Sequence, residues 1–252
     1  MKKVNKKITL LIYFVLVSLI IISIIYIVRE FYWKKEAVEE TKIVDTIEVD
    51  ESKVTKESTK RMIQVKSLQQ ENSDVVGFLE IENTNISYPV VQGNDNEYYM
   101  THNYKKEKSK NGAIFLDKDY DWNIPSNNYL IYGHNLNNGT MFQELLKYAN
   151  ESYYKEHPTI SFTTADEEGV YDIISIFRSK VYYTSDNVFK YYFFINPKTK
   201  EEYNDYIKNI KEISLYNIEQ TSDYGAQLIT LSTCSYHVKD GRFVIVGAKK
   251  EE

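Results

Sequence analysis

The sequence predicts a mainly β domain of about eight short strands, a closed barrel or a sandwich, behind an N-terminal transmembrane helix. Short apolar runs bounded by Asn and Gly recur from residue 75 onward, as in all-β domains. Tyrosine supplies 23 of the 252 residues and proline only four, and aromatic residues favour strands. A third observation is a run of 21 residues without a charged side chain near the N-terminus.

That uncharged run, residues 8–28, is long enough to span about 30 Å of hydrocarbon as a helix. Four lysines among the first seven residues precede it, and the positive-inside rule keeps this side in the cytoplasm. A cleavable signal peptide would need a shorter apolar core and small residues at the cut site, which the end of the run does not offer. We therefore predict a cytoplasmic tail (1–7) and an uncleaved transmembrane signal-anchor (8–28), followed by an extracellular domain.

Residues 29–61 are predicted to form a charged stalk. Half of residues 29–60 are charged, 16 of 32, which indicates a solvated and partly helical connection that holds the domain off the membrane. The net charge is −5, and −9 without the four N-terminal lysines. Because phosphate binding needs a basic face, this charge argues against nucleic acid as a partner. The domain itself is predicted over residues 62–252.

Nine runs in the domain have the length and composition of strands, and turn residues separate them. In chain order they are residues 76–81, 86–91, 113–116, 128–132, 159–163, 170–177, 181–184, 227–233 and 242–248. Strands that are this short and this numerous fit a barrel or a sandwich.

Three helices are predicted among the strands. A weak apolar stripe from Met62 to Leu68 predicts a short helix that packs on the domain. A second helix is predicted after Thr140, whose surroundings resemble a capping box. The clearest helix follows Thr199, a second capping-box pattern. Its apolar stripe consists of Tyr203, Tyr206, Ile207, Ile210 and Ile213.

Cys234 is the only cysteine, so no intrachain disulfide is possible, and the thiol is either an inert core residue or a nucleophile. Side chains alternate faces along a strand, so Ser232 and Cys234 share one face. Arg242 opens the return strand, and the hairpin can bring its guanidinium near the thiol. A nearby cation favours a thiolate.

A cysteine nucleophile usually needs a histidine nearby in space. His134 is the candidate, because it directly follows a strand where the backbone turns. His237 is close to Cys234 in sequence, but along an extended chain it would point to the opposite face unless a turn intervenes. His102 and His157 lie in polar loops and are expected at the surface. No metal-ligand spacing or phosphate-binding loop stands out, so no metal or cofactor is expected.

Taken singly, each of these residues has an ordinary structural interpretation, but together they resemble the active-site segments of sortases. TLSTC (230–234) followed by Arg242 is similar to the sortase cysteine hairpin, and LIYGHN (130–135) followed by TMF (140–142) to the histidine segment. Two further segments match in the same order. They are IENTNISYPVVQ (81–92) and GAIFLD (112–117). The helix after Thr199 resembles the one that marks class B.

The resemblance covers roughly residues 62–250 and implies a closed sortase-type β-barrel with a long helix before the cysteine strand. It implies Cys234 as the nucleophile, His134 as the acid/base and Arg242 as an oxyanion or substrate clamp.

The resemblance matches the substrate-binding groove of class B sortases at some positions and departs from it at another. Asn96 and Ser232 match class B positions that bind substrate. Where some members have a tyrosine lining the groove, this chain has Val188.

The implied function is that of a membrane-anchored cysteine transpeptidase on the outer face of a Gram-positive bacterium. Its partners would be secreted proteins with a C-terminal sorting signal resembling Asn-Pro-x-Thr-Asn or Pro-Pro-x-Thr-Gly. Cleavage after Thr through a thioester acyl-enzyme would transfer the protein to an amine of the peptidoglycan cross-bridge or stem peptide, for wall anchoring or pilus attachment.

Two alternatives stay open. One is a membrane-tethered wall-processing cysteine peptidase, although papain-like enzymes place the cysteine at a helix start and before the histidine. The other is a non-catalytic surface-binding or scaffold domain in which Cys234 is buried.

Overall fold

Eight strands close into a β-barrel in the part of the chain that the computed structural model describes, residues 6–55, 59–124 and 128–250. The strands are β1 (Val75–Glu80), β2 (Ser87–Val91), β3 (Ile114–Leu116), β4 (Asn128–Gly133), β5 (Thr159–Thr163), β6 (Glu168–Lys180), β7 (Leu228–Cys234) and β8 (Gly241–Lys249). Around the barrel their order is β1-β2-β3-β4-β7-β8-β6-β5. Two neighbouring pairs, β2–β3 and β4–β7, are parallel, and the others are antiparallel. The predicted closed barrel is confirmed.

One predicted strand, residues 181–184, is wrong. β6 continues to Lys180, and then the chain leaves the sheet. The Val181 N–H donates to the Asp240 carbonyl (2.9 Å), and the Tyr183 N–H donates to the Asp186 carboxylate (3.0 Å). A side-chain acceptor thus takes the N–H group that a sheet ladder would need, as Asp does in turns.

Four α-helices accompany the barrel within the described ranges. They are α1 (Lys6–Thr41), α2 (Lys60–Glu71), α3 (Glu151–Glu156) and α4 (Lys200–Glu212). The predicted helices at α2 and α4 are confirmed, and α3 was not predicted. The Thr199 hydroxyl caps α4 by accepting from the Glu202 N–H (3.1 Å), while the Glu202 carboxylate accepts from the Lys198 N–H (2.8 Å).

The predicted capping box at Thr140 is wrong. The segment that follows is a 3₁₀-helix, Phe142–Ala149, and the Thr140 hydroxyl donates to the Asn138 side chain (2.6 Å) instead of capping it. Met141 precedes the segment with φ at +56°, and its N–H donates to the Tyr88 hydroxyl (2.9 Å). Long-range contacts therefore override the local pattern.

Helix α1 is long and apolar enough to cross a membrane, but it does not end where the apolar run ends. It continues to Thr41, and Ala37 and Glu40 are buried against the barrel domain, whereas a solvated stalk was expected here. Beyond α1, Val44 is buried as well, and its carbonyl accepts from the Gln64 side chain (2.7 Å). Residues 1–5 of the tail, 56–58 of the stalk and 251–252 lie outside the described residues.

The tyrosine-rich composition is explained by the core. Tyr88, Tyr148 and Tyr171 are among the largest fully buried side chains. Buried tyrosines usually need a partner for the hydroxyl group, and two of these have one: Tyr148 donates to the His157 carbonyl (2.9 Å) and Tyr88 accepts from the Met141 N–H (2.9 Å).

Glu144 connects the 3₁₀-helix to the turn between β1 and β2. Its carboxylate accepts from the Asn85 N–H (2.7 Å), the Lys147 ammonium group (2.6 Å) and the Tyr153 hydroxyl (3.0 Å). Burial by itself would raise the pKa of this carboxyl, but the three donors outweigh burial, and its pKa lies below the ordinary value. A lowered pKa in the folded state stabilises the fold above the unfolded-state pKa, and this stabilisation is lost as the pH falls.

We predict that Glu144→Ala lowers the free energy of unfolding by about 1–3 kcal/mol at pH 7, because it removes the acceptor from two partly buried donors, the Asn85 N–H and the Tyr153 hydroxyl. The difference from the wild type should shrink below about pH 4, where the wild-type carboxyl becomes protonated. Urea denaturation at both pH values measures it. Lys147→Gln is the control, because an exposed cation should cost less than about 1 kcal/mol. A pH-independent difference would contradict the assignment.

Candidate active site

The parallel pair β4–β7 brings the two predicted catalytic segments to one edge of the barrel. Gly133 lies opposite Thr233, and the Thr233 hydroxyl donates to the Gly133 carbonyl (2.8 Å). The Asn135 side chain donates to the Cys234 carbonyl (2.9 Å). Because the carboxyl ends of parallel strands lie side by side, His134 and Cys234 leave the sheet at the same edge.

Gly133 is required at this edge by close packing. A Cβ atom at this position would lie 2.5 Å from Ile114 and 2.7 Å from the Phe142 ring. Any larger residue would push the strand end, and with it His134, out of place.

The hairpin β7–β8 places Arg242 directly opposite Cys234. The Ser235 N–H donates to the Gly241 carbonyl (2.9 Å), so the next pair inward, Cys234 and Arg242, is of the non-hydrogen-bonded type. In such pairs the Cβ atoms lie about 4.5–5.5 Å apart on one face. The guanidinium donates to the carbonyls of Gly241 (3.0 Å) and Asp240 (3.3 Å), which anchor it at the turn.

His134 is oriented by a backbone carbonyl. Its Nε2 lies 2.8 Å from the Met100 carbonyl oxygen. A carbonyl only accepts, so Nε2 carries the proton in this contact, and Nδ1 is left to exchange a proton with a bound molecule.

All five residues predicted for the site line one half-open cavity of about 290 Å³. They are Cys234, His134, Arg242, Asn96 and Ser232. Cys234 is partly exposed there, and Ser232 is buried beneath it. The cavity thus holds a thiol, an imidazole and a fixed cation together. These are the functional groups that nucleophilic acyl transfer requires.

The sequence did not identify a buried carboxylate that organises one wall of the cavity. Asp117 accepts from the Asn96 amide (3.0 Å) and the Tyr132 hydroxyl (3.0 Å), and the Asn96 carbonyl oxygen accepts from the Lys118 N–H (2.9 Å). Burial, together with the Asp117 charge, raises the pKa of Tyr132 well above its ordinary range. Tyr132 therefore stays a neutral donor, and Asn96 is held in one orientation.

A second wall comes from the loop between β6 and α4, in which the sequence analysis singled out no tyrosine. Tyr191 and Tyr192 line the cavity, and the Tyr191 hydroxyl lies 2.7 Å from the Ser232 hydroxyl. Burial raises the pKa of Tyr191 to about 12, although the Ser232 hydrogen bond and the Arg242 charge oppose the rise. Val188 is not among the described residues that line the cavity.

The other histidines lie elsewhere. His237 bonds to the Ser235 side chain (2.9 Å), His102 stacks on Tyr98, and His157 contacts the Glu82 carbonyl (3.0 Å). Within the described ranges, no group of three or more His, Cys, Asp or Glu side chains is arranged to hold a metal ion.

Comparisons with known proteins identify the family of this barrel. A sequence model described as the sortase domain matches residues 79–250. Sortase B of Listeria monocytogenes is 34% identical over 188 residues, which cover 73% of each chain. Sortase B of Staphylococcus aureus is 29% identical over 185 residues, again 73% of each chain.

A solved structure shares the fold over nearly the whole chain. The crystal structure of sortase B from Bacillus anthracis in complex with AAEK1 is similar with a TM-score of 0.73 and 29% identity. The match covers 89% of this chain and 99% of the other.

The exposure of Cys234 yields a prediction about its reactivity. We predict that iodoacetamide labels the native wild-type protein once per chain. Moving the thiol two residues along the same face, by Ser232→Cys in a Cys234→Ala background, places it at a position that is 1% exposed. That variant should be labelled only in denaturant, as intact-mass measurements will show. Labelling of the wild type only after denaturation would make Cys234 a buried structural residue.

Proposed function

This chain belongs to the sortase family and is a class B sortase, a cysteine transpeptidase of cell-wall sorting, and we propose that Cys234, His134 and Arg242 carry its chemistry. The observation that carries this assignment is that all three side chains line one cavity, at the edge where β4, β7 and β8 meet. Membership of the family favours this function over both the wall-processing peptidase and the non-catalytic scaffold.

The first half-reaction forms an acyl-enzyme. The Cys234 thiolate attacks the backbone carbonyl of the threonine in the sorting signal, and the carbonyl oxygen becomes an oxyanion. Arg242 stabilises that oxyanion, since it is fixed on the same face as the thiol. When the C–N bond breaks, the His134 imidazolium gives its Nδ1 proton to the leaving amine, and a thioester and a neutral imidazole remain.

The second half-reaction reverses these roles. An amino group of the peptidoglycan attacks the thioester carbonyl, and His134 accepts the proton that this amine loses. The second tetrahedral intermediate collapses, the Cys234 thiolate leaves, and a new amide joins the secreted protein to the wall. His134 regains the imidazolium form, so the proton balance closes over one turnover.

The walls of the cavity support recognition of an extended peptide. Met100 and Val181 provide exposed apolar surface, and Asn96 and Tyr132 provide polar groups. Ser232 is buried with its hydroxyl bonded to Tyr191, so its part in binding is to hold that tyrosine in the wall.

We further propose that residues 8–28 anchor the enzyme as a single-pass helix, with residues 1–7 in the cytoplasm and residues 62–252 outside the cell. The apolar composition of α1 and the four N-terminal lysines support this topology. The helix would hold the enzyme where a secreted substrate leaves the membrane and the wall precursor is exposed.

The mechanism predicts a covalent intermediate. Incubation of the full-length protein with an Asn-Pro-x-Thr-Asn or Pro-Pro-x-Thr-Gly peptide, without an amine acceptor, should give a mass increase of one N-terminal peptide fragment on Cys234. The Cys234→Ala variant should show no adduct and no cleavage. Tandem mass spectrometry locates the modification. Peptide cleavage that persists in Cys234→Ala would refute the assignment of the nucleophile.

The role proposed for Arg242 predicts a loss of kcat that a positive charge alone does not restore. Arg242→Ala should lower kcat about 10²–10³-fold, the usual effect of removing one oxyanion donor. Arg242→Lys should recover only part of the loss, because an ammonium group does not reproduce the planar fork. Steady-state kinetics with a fluorogenic peptide measures both variants. Arg178→Ala is the control, because Arg178 is an exposed arginine on β6 that is not among the residues lining the cavity. Equal kcat in Arg242→Ala and Arg178→Ala would contradict the proposal.

A further inference from the structure

The His134 ring is contacted by both ends of one loop, residues 100–112. At the first end, the Met100 carbonyl contacts His134 Nε2 at 2.8 Å. At the other end, Gly112 adopts a φ of +64°, and a Cβ atom there would lie 2.9 Å from His134 Cδ2. The base of the loop is closed beside the ring, because the Ala113 N–H donates to the Tyr99 carbonyl (2.9 Å). A displacement of this loop would therefore move the ring.

The buried polar side chains of the loop are held by the carboxylate of Glu36, from outside the loop, whereas Glu71 and Asp74 pair with its exposed lysines Lys105 (3.5 Å) and Lys106 (3.0 Å). Three polar side chains of the loop are almost fully buried: Asn103 is 4%, Ser109 3% and Asn111 1% exposed. Glu36 accepts a hydrogen bond from each of them, at 3.1, 2.8 and 3.0 Å. Buried donors need partners, and bonds to an ionised acceptor are about twice as strong as neutral ones.

Glu36 belongs to α1, the helix that carries the apolar run. It lies eight residues after Val28, or about 12 Å along a helix. The same helix gives the loop a second contact, because the Asn111 side chain also donates to the Trp33 carbonyl (2.7 Å). Lys110 contacts Glu30 one turn earlier. The first turns beyond the anchor are thus bonded to the loop that orients the catalytic imidazole.

We propose that Glu36 is a positioning residue for catalysis, which holds Asn103, Ser109 and Asn111 so that the 100–112 loop keeps His134 aligned with Cys234. This proposal rests on the acid/base role of His134 proposed above. It makes the membrane-proximal helix part of the catalytic apparatus: the alignment of the imidazole depends on α1 being docked on the barrel domain.

The effect of Glu36 can be separated from general damage by the choice of leaving group. His134 is needed to protonate an amine, whereas an activated ester of the same sorting-signal peptide leaves without a proton. With full-length protein in detergent, Glu36→Ala should slow single-turnover acylation by the amide peptide about 10- to 100-fold, the cost of misplacing a catalytic group by about 1 Å. Acylation by the ester should change less than about 2-fold. His134→Ala should show the same selective pattern.

The matched control is Glu39→Ala on the same helix. Glu39 is exposed, and its one ion pair among the described residues is with Lys35 (3.5 Å), so both acylation rates should match the wild type. Glu36→Gln keeps the size and one acceptor oxygen, and it replaces Glu36→Ala if the alanine variant does not fold. It should show the same selective loss to a smaller degree.

The outcomes distinguish the two proposals. Equal slowing of amide and ester acylation in the Glu36 variants, or no slowing of either, would overturn the positioning role while leaving the mechanism intact. Wild-type amide acylation in His134→Ala would overturn the acid/base assignment itself.

Discussion

The parallel pairing of β4 with β7 is the constraint on which the site depends. These strands are about 100 residues apart in sequence, yet their register places Gly133 opposite Thr233. A parallel pair ends at one edge, so the residues that follow the two strands must meet there. The antiparallel partner β8 then adds Arg242 opposite the thiol. Backbone pairing thereby brings three chemically distinct groups to one edge, and the contacts of the 100–112 loop then orient the His134 ring.

Around that edge, buried polar groups are paired in ways that leave little freedom. Asp117 holds one side of the cavity through Asn96 and Tyr132, and Ser232 meets Tyr191 on the other. Burying such groups without partners would cost free energy, so each network is stable in one arrangement. A peptide that enters the cavity meets walls whose donors and acceptors are already oriented, which lowers the entropy lost on binding.

In the topology proposed above, the docking of α1 on the barrel domain gives the membrane anchor a second role beside attachment. An enzyme that joins secreted proteins to the wall works where the secreted protein leaves the membrane and the wall precursor is exposed. Its position relative to the bilayer therefore matters. In this structure the residues just beyond the apolar run are bonded to the loop beside His134. The charged composition of residues 29–60 predicted a solvated stalk. The sequence alone does not show that Glu36, within this stretch, faces three buried donors.

The sequence by itself determined the local elements and the chemistry. Short apolar runs between turn residues identified the eight strands of the barrel, the Thr199 cap identified α4, and the order of the motifs around His134, Cys234 and Arg242 identified the family. Only the tertiary structure decided which residues surround these three. Asp117, Tyr191 and Met100 reach the site from distant segments, and Glu36 holds the loop that carries Met100. The strand expected at 181–184 is replaced by a turn in which the Asp186 carboxylate accepts from the Tyr183 N–H. Periodicity and capping act over a few residues, whereas the closure of the barrel and the docking of α1 join segments far apart in sequence.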